Sequence, residues 1–177
     1  MTILTRSYLS DLQVRSDGRT LEGTALPYGQ EADIHEHGRR YTESFTRGAF
    51  TNVDPAQVPL TAHHPRSDET LPIGVTVELE DEPTRLRGAW HVSDTEAGNT
   101  VLALAHDGVP LALSIGFVEI PGGSRWNPTR TRVQRIKAEL DHIAVVRRGA
   151  YPGSRVTAVR TAQDLSTPLL NLARLRS

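Results

Sequence analysis

Cysteine is absent from this chain of 177 residues. Disulfides, zinc–thiolate sites and a cysteine nucleophile are therefore all excluded. Aromatic residues make up only 5%, so the core must rest on Leu, Val, Ile and Ala. No run approaches the roughly 20 apolar residues of a membrane span. The opening segment MTILTRSYLSDLQVRSDGR carries charges throughout and does not read as a secretory leader. Neither sign of charge dominates: 20 basic residues face 21 acidic ones, for a net charge of −1. That balance speaks against a general nucleic-acid binder and against an acidic disordered chain. Phosphate loops of the GxGxxG or GxxxxGK(S/T) type, the GxSxG elbow and the HExxH zinc motif are also missing. The expectation is a soluble protein of a reducing cytoplasm, with no cofactor, no nucleic acid and no membrane among its partners.

What is present is a string of short segments punctuated by 14 Gly and 11 Pro. Thr20–Pro27 reads as a strand, Gly29–Phe45 as a charged loop, Phe45–Phe50 as a turn, and Pro59–Ala62 as a short extended piece before His63 and His64. Ile73–Leu79 alternates, with Ile73, Val75, Val77 and Leu79 in phase, and Arg85–Val92 alternates likewise across an EDEPT turn. The best helix signal follows Asp94 as N-cap, with Val101, Leu102, Leu104 and Ala105 in helical phase and Asp107–Gly108 as the stop. Pro110–Ile120 places Leu111, Leu113, Ile115 and Phe117 on one face and Ala112, Ser114, Gly116 and Val118 on the other. Gly122–Thr131 reads as a loop, and Val133–Ala138, Leu140–Val146 and Ser154–Arg160 as strands. Asp164–Arg176 is an amphipathic stretch with Leu165, Leu169, Leu172 and Leu175 near helical spacing. The pattern predicts a mainly β domain over 1–160 and a C-terminal amphipathic helix or tail over 161–177.

Ser114 is the one hydroxyl in an apolar strand, and its same-face neighbours Ala112 and Gly116 are very small. Such a strip would let a substrate approach the hydroxyl, although a core Ser bonded to a carbonyl fits the residues as well. His142, beside Ala144, reads alone as a satisfied core histidine, and His63 and His64 read alone as loop residues. His35, Glu36 and His37 have a spacing that suits a divalent metal but lack a third ligand at fixed spacing. His106 sits where a cation favours a helix C-terminus, and His91 faces away from the apolar side of its strand.

Taken in order, these pieces resemble the tailed-phage prohead (capsid maturation) protease family, itself similar to herpesvirus assemblin. EGTALPYG (22–29), FTRGAF (45–50), VPLTAHHP…LPIG (58–74), DTEAGNTVLALAHDGVPLALSIGF (94–117) and LDHIAVVRRGAYPGSRV (140–156) carry the resemblance. It implies an assemblin-like closed β-barrel with a few surrounding helices. It implies a serine endopeptidase with Ser114 as nucleophile, His64 as base, His63 as the alternative base, and His142 as third member. Arg147 and Arg148 are the nearest match to the groups that support the oxyanion. The implied substrates are the scaffolding segment of the major capsid protein and the enzyme itself, inside the procapsid in the bacterial host, with a homodimer through the last leucines as one option. The alternatives are a non-catalytic scaffold or capsid-binding protein of the same fold, and a metal hydrolase using His35, His37, His63 and His64.

Overall fold

The computed structural model describes residues 2–8, 11–36, 38–64 and 71–147. Twelve strands among them form two sheets. The strands are β1 (Ile3–Tyr8), β2 (Gln13–Val14), β3 (Thr20–Pro27), β4 (Ala32–Glu36), β5 (Arg39–Phe45), β6 (Pro59–Ala62), β7 (Gly74–Asp81), β8 (Arg85–Val92), β9 (Leu111–Glu119), β10 (Ser124–Trp126), β11 (Arg132–Arg135) and β12 (Ala138–Arg147). One α-helix, α1 (Glu96–His106), lies between β8 and β9, and a 3-10 turn spans Pro55–Gln57. The large sheet runs β1-β9-β12-β6-β7-β8-β3-β2 and the small one β10-β11-β5-β4. Pairing is antiparallel except for β12 with β6 and β11 with β5.

The large sheet curls but does not close, which corrects the expectation of a closed barrel. Closure would need β1 to pair with β2, yet among the described residues β1 forms a ladder only with β9, and the two-residue β2 only with β3. The curl is nonetheless steep. Tyr8 and Gln13 lie at opposite ends of the strand order, and five residues of chain span at most about 18 Å. The concave side holds the main core, with Trp90, Leu21, Leu26, Leu60, Leu113, Ile115, Phe117 and Ile143 fully buried. The α1 helix closes part of it with Val101 and Leu102.

Several elements follow the sequence pattern, and others depart for identifiable reasons. β3, β6, β8, β9 and β12 fall close to the segments that the sequence marks as strands or extended pieces. Helix α1 stops at Gly108, whose φ of 72° suits the residue past a helix end. Its N-cap is Thr95 rather than Asp94: Thr95 is extended and its hydroxyl accepts the Gly98 N–H at 3.1 Å, while Asp94 accepts from the Asn99 amide. The segment Gly29–Phe45 is a hairpin, β4–β5, rather than a loop. Its polarity conceals a buried ion network in which Glu43 bonds Arg6 of β1 and Arg135 of β11. Val75 and Val77 are 51% and 47% exposed, so these two valines point outward while Thr76 is buried and donates to the Val58 carbonyl. A register shift after Thr76 lets Leu79 pack against the core. The N-terminal β1 and the short β10 add strands that the sequence pattern did not mark. The expected strand at Ser154–Arg160 and the amphipathic stretch of 161–177 lie outside the described residues.

Candidate active site

The two longest strands, β9 and β12, form the ladder on which the candidate site stands. Leu113, Ile115 and Phe117 of β9 enter the core, so strand alternation turns Ala112, Ser114 and Gly116 to the other face. On β12, His142 pairs with Gly116 and Ala144 with Ser114. β6 runs parallel to β12 and delivers His64 just beyond its end. β1 lies on the other side of β9 and sets Ser7 opposite Ser114.

These four strands bring Ser114, His64 and His142 into one line of hydrogen bonds. His64 Nε2 lies 2.7 Å from Ser114 Oγ, and His64 Nδ1 lies 2.8 Å from His142 Nε2. The imidazole centroids are 5.1 Å apart at 66°. His142 Nδ1 continues the line to Asp141 Oδ2 at 2.6 Å, and Ser7 Oγ donates to Ser114 Oγ at 2.9 Å. Ser114 is therefore not a core serine tied to a carbonyl. Its hydroxyl faces an imidazole on one side and a second hydroxyl on the other. Ser114 and His142 are buried, while His64 is only half-buried.

Two backbone features hold the arrangement. Gly116 has no Cβ, and one placed there would sit 2.1 Å from His142 Cε1 and 2.4 Å from Nδ1. The His142 ring thus occupies the space that any other residue at 116 would fill. His63 has a φ of 77°, a left-handed conformation uncommon for a side chain with a Cβ. Its N–H donates to the Val145 carbonyl, and its own carbonyl accepts from Thr61 Oγ1 at 2.6 Å. The chain bends at His63, leaving that side chain exposed while His64 is set against Ser114 and His142. His64, not His63, is thus the histidine bonded to Ser114.

Burial, reinforced by the neighbouring His142 and His63, pushes the His64 pKa down to about 4. His64 is consequently neutral across the physiological range, with one nitrogen free to accept a proton. Arg147 ends β12 opposite Leu111, three pairs along the ladder from Ala144, and is exposed. Arg148 lies outside the described residues, as does His37. His35 lies on β4 of the small sheet and is not brought to His63 or His64. His106 occupies the last turn of α1, and His91 is exposed, as their positions in the sequence suggested. Ser7 and Asp141 were not read from the sequence as site residues. Ser7 sits on an unmarked strand, and Asp141 directly precedes His142, where regular alternation would point it to the opposite face.

A serine hydroxyl bonded to an imidazole, itself bonded to a second buried side chain, is the geometry on which serine hydrolases operate. The chain belongs to the caudovirus prohead serine protease family, whose model matches residues 10–167. No curated protein and no solved structure gives a significant match. The family is one of capsid maturation proteases, which work within the procapsid in the host. No helix among the described residues is long and apolar enough to cross a membrane.

Proposed function

We propose that the chain is a serine endopeptidase of phage procapsid maturation, acting on the scaffolding segment of the capsid protein and on itself. The observation that supports this most directly is the unbroken line from Ser114 Oγ through both nitrogens of His64 to His142 Nε2. In this reading Ser114 attacks the scissile carbonyl while His64 Nε2 takes its proton. The tetrahedral intermediate collapses as the His64 imidazolium gives that proton to the leaving amine. Water then releases the acyl group with His64 again as base. His142 accepts the His64 Nδ1–H and holds the ring in the productive tautomer. Arg147 and Arg148 remain the candidates for oxyanion support. Arg147 pairs with Leu111, in phase with the core-facing Leu113 and Ile115, so its side chain would have to round the strand to reach Ser114. A base with a pKa near 4 is a weak one, so turnover is expected to be slow. A few cuts per substrate chain inside a closed shell demand little more. The assemblin-like relationship and a homodimer through 161–177 belong to the same proposal.

Complete burial of Ser114 favours one other reading, a non-catalytic scaffold or capsid-binding protein. Co-expression with the capsid protein separates the two. The protease reading expects capsid cleavage with the wild type and full-length capsid protein with Ser114→Ala. The scaffold reading expects the same capsid species in both. Chelation by EDTA is expected to leave processing intact, whereas a metal hydrolase built on the histidines would stop.

A further inference from the structure

The β9–β12 ladder breaks its register at the site. Leu140 pairs with Phe117 and His142 with Gly116, so Asp141 is an extra residue opposed by nothing on β9. This is a β-bulge, a device that re-aims side chains. A regular strand would send Asp141 and His142 to opposite faces. Here the bulge lets the Asp141 carboxylate reach the Nδ1 of its own neighbour at 2.6 Å, while the absent Cβ of Gly116 leaves room for the ring.

The proton inventory gives this contact a consequence. Each neutral imidazole has one donor and one acceptor nitrogen, so two of them in series can run in either direction. In one direction His64 Nε2 is a bare acceptor facing Ser114. In the other it carries a hydrogen, donates to Ser114 Oγ and cannot act as a base. An ionised carboxylate only accepts. With Asp141 at one end, His142 must place its hydrogen on Nδ1, His64 must then donate from Nδ1, and Nε2 is left open. Ser7 donates to Ser114 from the far end, so all four bonds agree in direction.

Resting on the serine-protease reading, we propose that Asp141 is a positioning residue. It fixes the proton order of the Ser7–Ser114–His64–His142 chain and offsets the positive charge that His64 gains during attack. Among the described residues, the titratable groups set against His142 are Asp141 on its own strand and His64 from the end of β6, with His63 next along the chain.

The test uses the full chain and a fluorophosphonate, which reports Ser114 reactivity without a known peptide substrate. Asp141→Asn and Asp141→Ala are expected to lower the maximal labelling rate by about 10–100-fold, the order seen when the outer hydrogen-bond partner of a metal-bound imidazole is removed. The apparent probe affinity should stay unchanged, and Asp141→Glu should recover part of the rate. The acid limb of the rate should move to lower pH in Asp141→Asn, because the imidazole pair loses its counter-charge. Asp141 is partly exposed, so these variants should fold, and circular dichroism checks that they do. In parallel, 15N histidine NMR should find His142 with its hydrogen on Nδ1 in the wild type and on Nε2 in Asp141→Ala. Unchanged labelling rates and pH profile would overturn the proposal, as would an Nδ1–H tautomer that survives in Asp141→Ala. A wild type that never labels counts instead against Ser114 as nucleophile, and the tautomer measurement still decides the role of Asp141.

Discussion

Individual atoms decide the site. Gly116→Ala would place a methyl inside the His142 ring, so it should abolish Ser114 labelling as fully as His142→Ala does. His63 and His64 should separate sharply. A glycine at 63 relieves a left-handed conformation that costs an L residue roughly 1–2 kcal/mol, so His63→Gly should keep both labelling and melting temperature. His64→Gly should lose labelling altogether. Neutral His64 also predicts a pH dependence. Its pKa falls from 6.5 in the open chain to about 4 in the fold. The unfolded chain therefore takes up a proton first as pH drops, and stability falls between those values. Ser114 labelling should likewise hold down to about pH 4, where an ordinary histidine base would fade near 6.5. Ser114 and His142 stand out in the sequence as polar groups among small residues on apolar strands, but alone they read equally as core residues, and only the family resemblance joins them to His64. The resemblance favours His64 over His63, while the physical reason, a left-handed backbone at His63, is not written in the residue types, and Asp141 needs a bulge to reach its partner.

Among the elements, the small sheet shows how charge can hide a strand. Glu43 is fully buried between Arg6 and Arg135 and ties β5 to β1 and β11. Removing Glu43 takes its fully buried carboxylate from two buried guanidiniums, leaving Arg6 to the more exposed Glu36 and Arg135 to the half-exposed Glu119. Breaking a buried pair typically costs about 3–5 kcal/mol. Glu43→Ala should lower the unfolding free energy by that order in chemical denaturation. A change of less than 1 kcal/mol would mean the network contributes little. The alternation of β8, β9 and β12 was readable because each buries one strictly apolar face. β5 was not, because its buried Glu43 is paired with arginines on strands far apart in sequence, and β4 buries only Ala32 and Ile34. β7 misled in the opposite sense: its valines face solvent, and its buried Thr76 is satisfied by a backbone carbonyl.

Across the whole molecule, the curl of one open sheet draws four strands, widely separated in sequence, around a single hydroxyl. The mainly β class was legible from the spacing of turns. The open edge was not, because closure depends on whether β1 meets β2, and neither strand was marked by alternation. The prohead protease family model matches residues 10–167, a span that holds β6, β9 and β12 but not β1, in keeping with a candidate site assembled from several strands rather than from one loop. The most direct test of the account is the intact mass of the expressed protein after exposure to a fluorophosphonate, wild type beside Ser114→Ala. The account predicts one adduct on the wild type, mapped to Ser114, and none on the variant. Two unmodified masses, even with capsid protein added, would contradict an activated serine at this site.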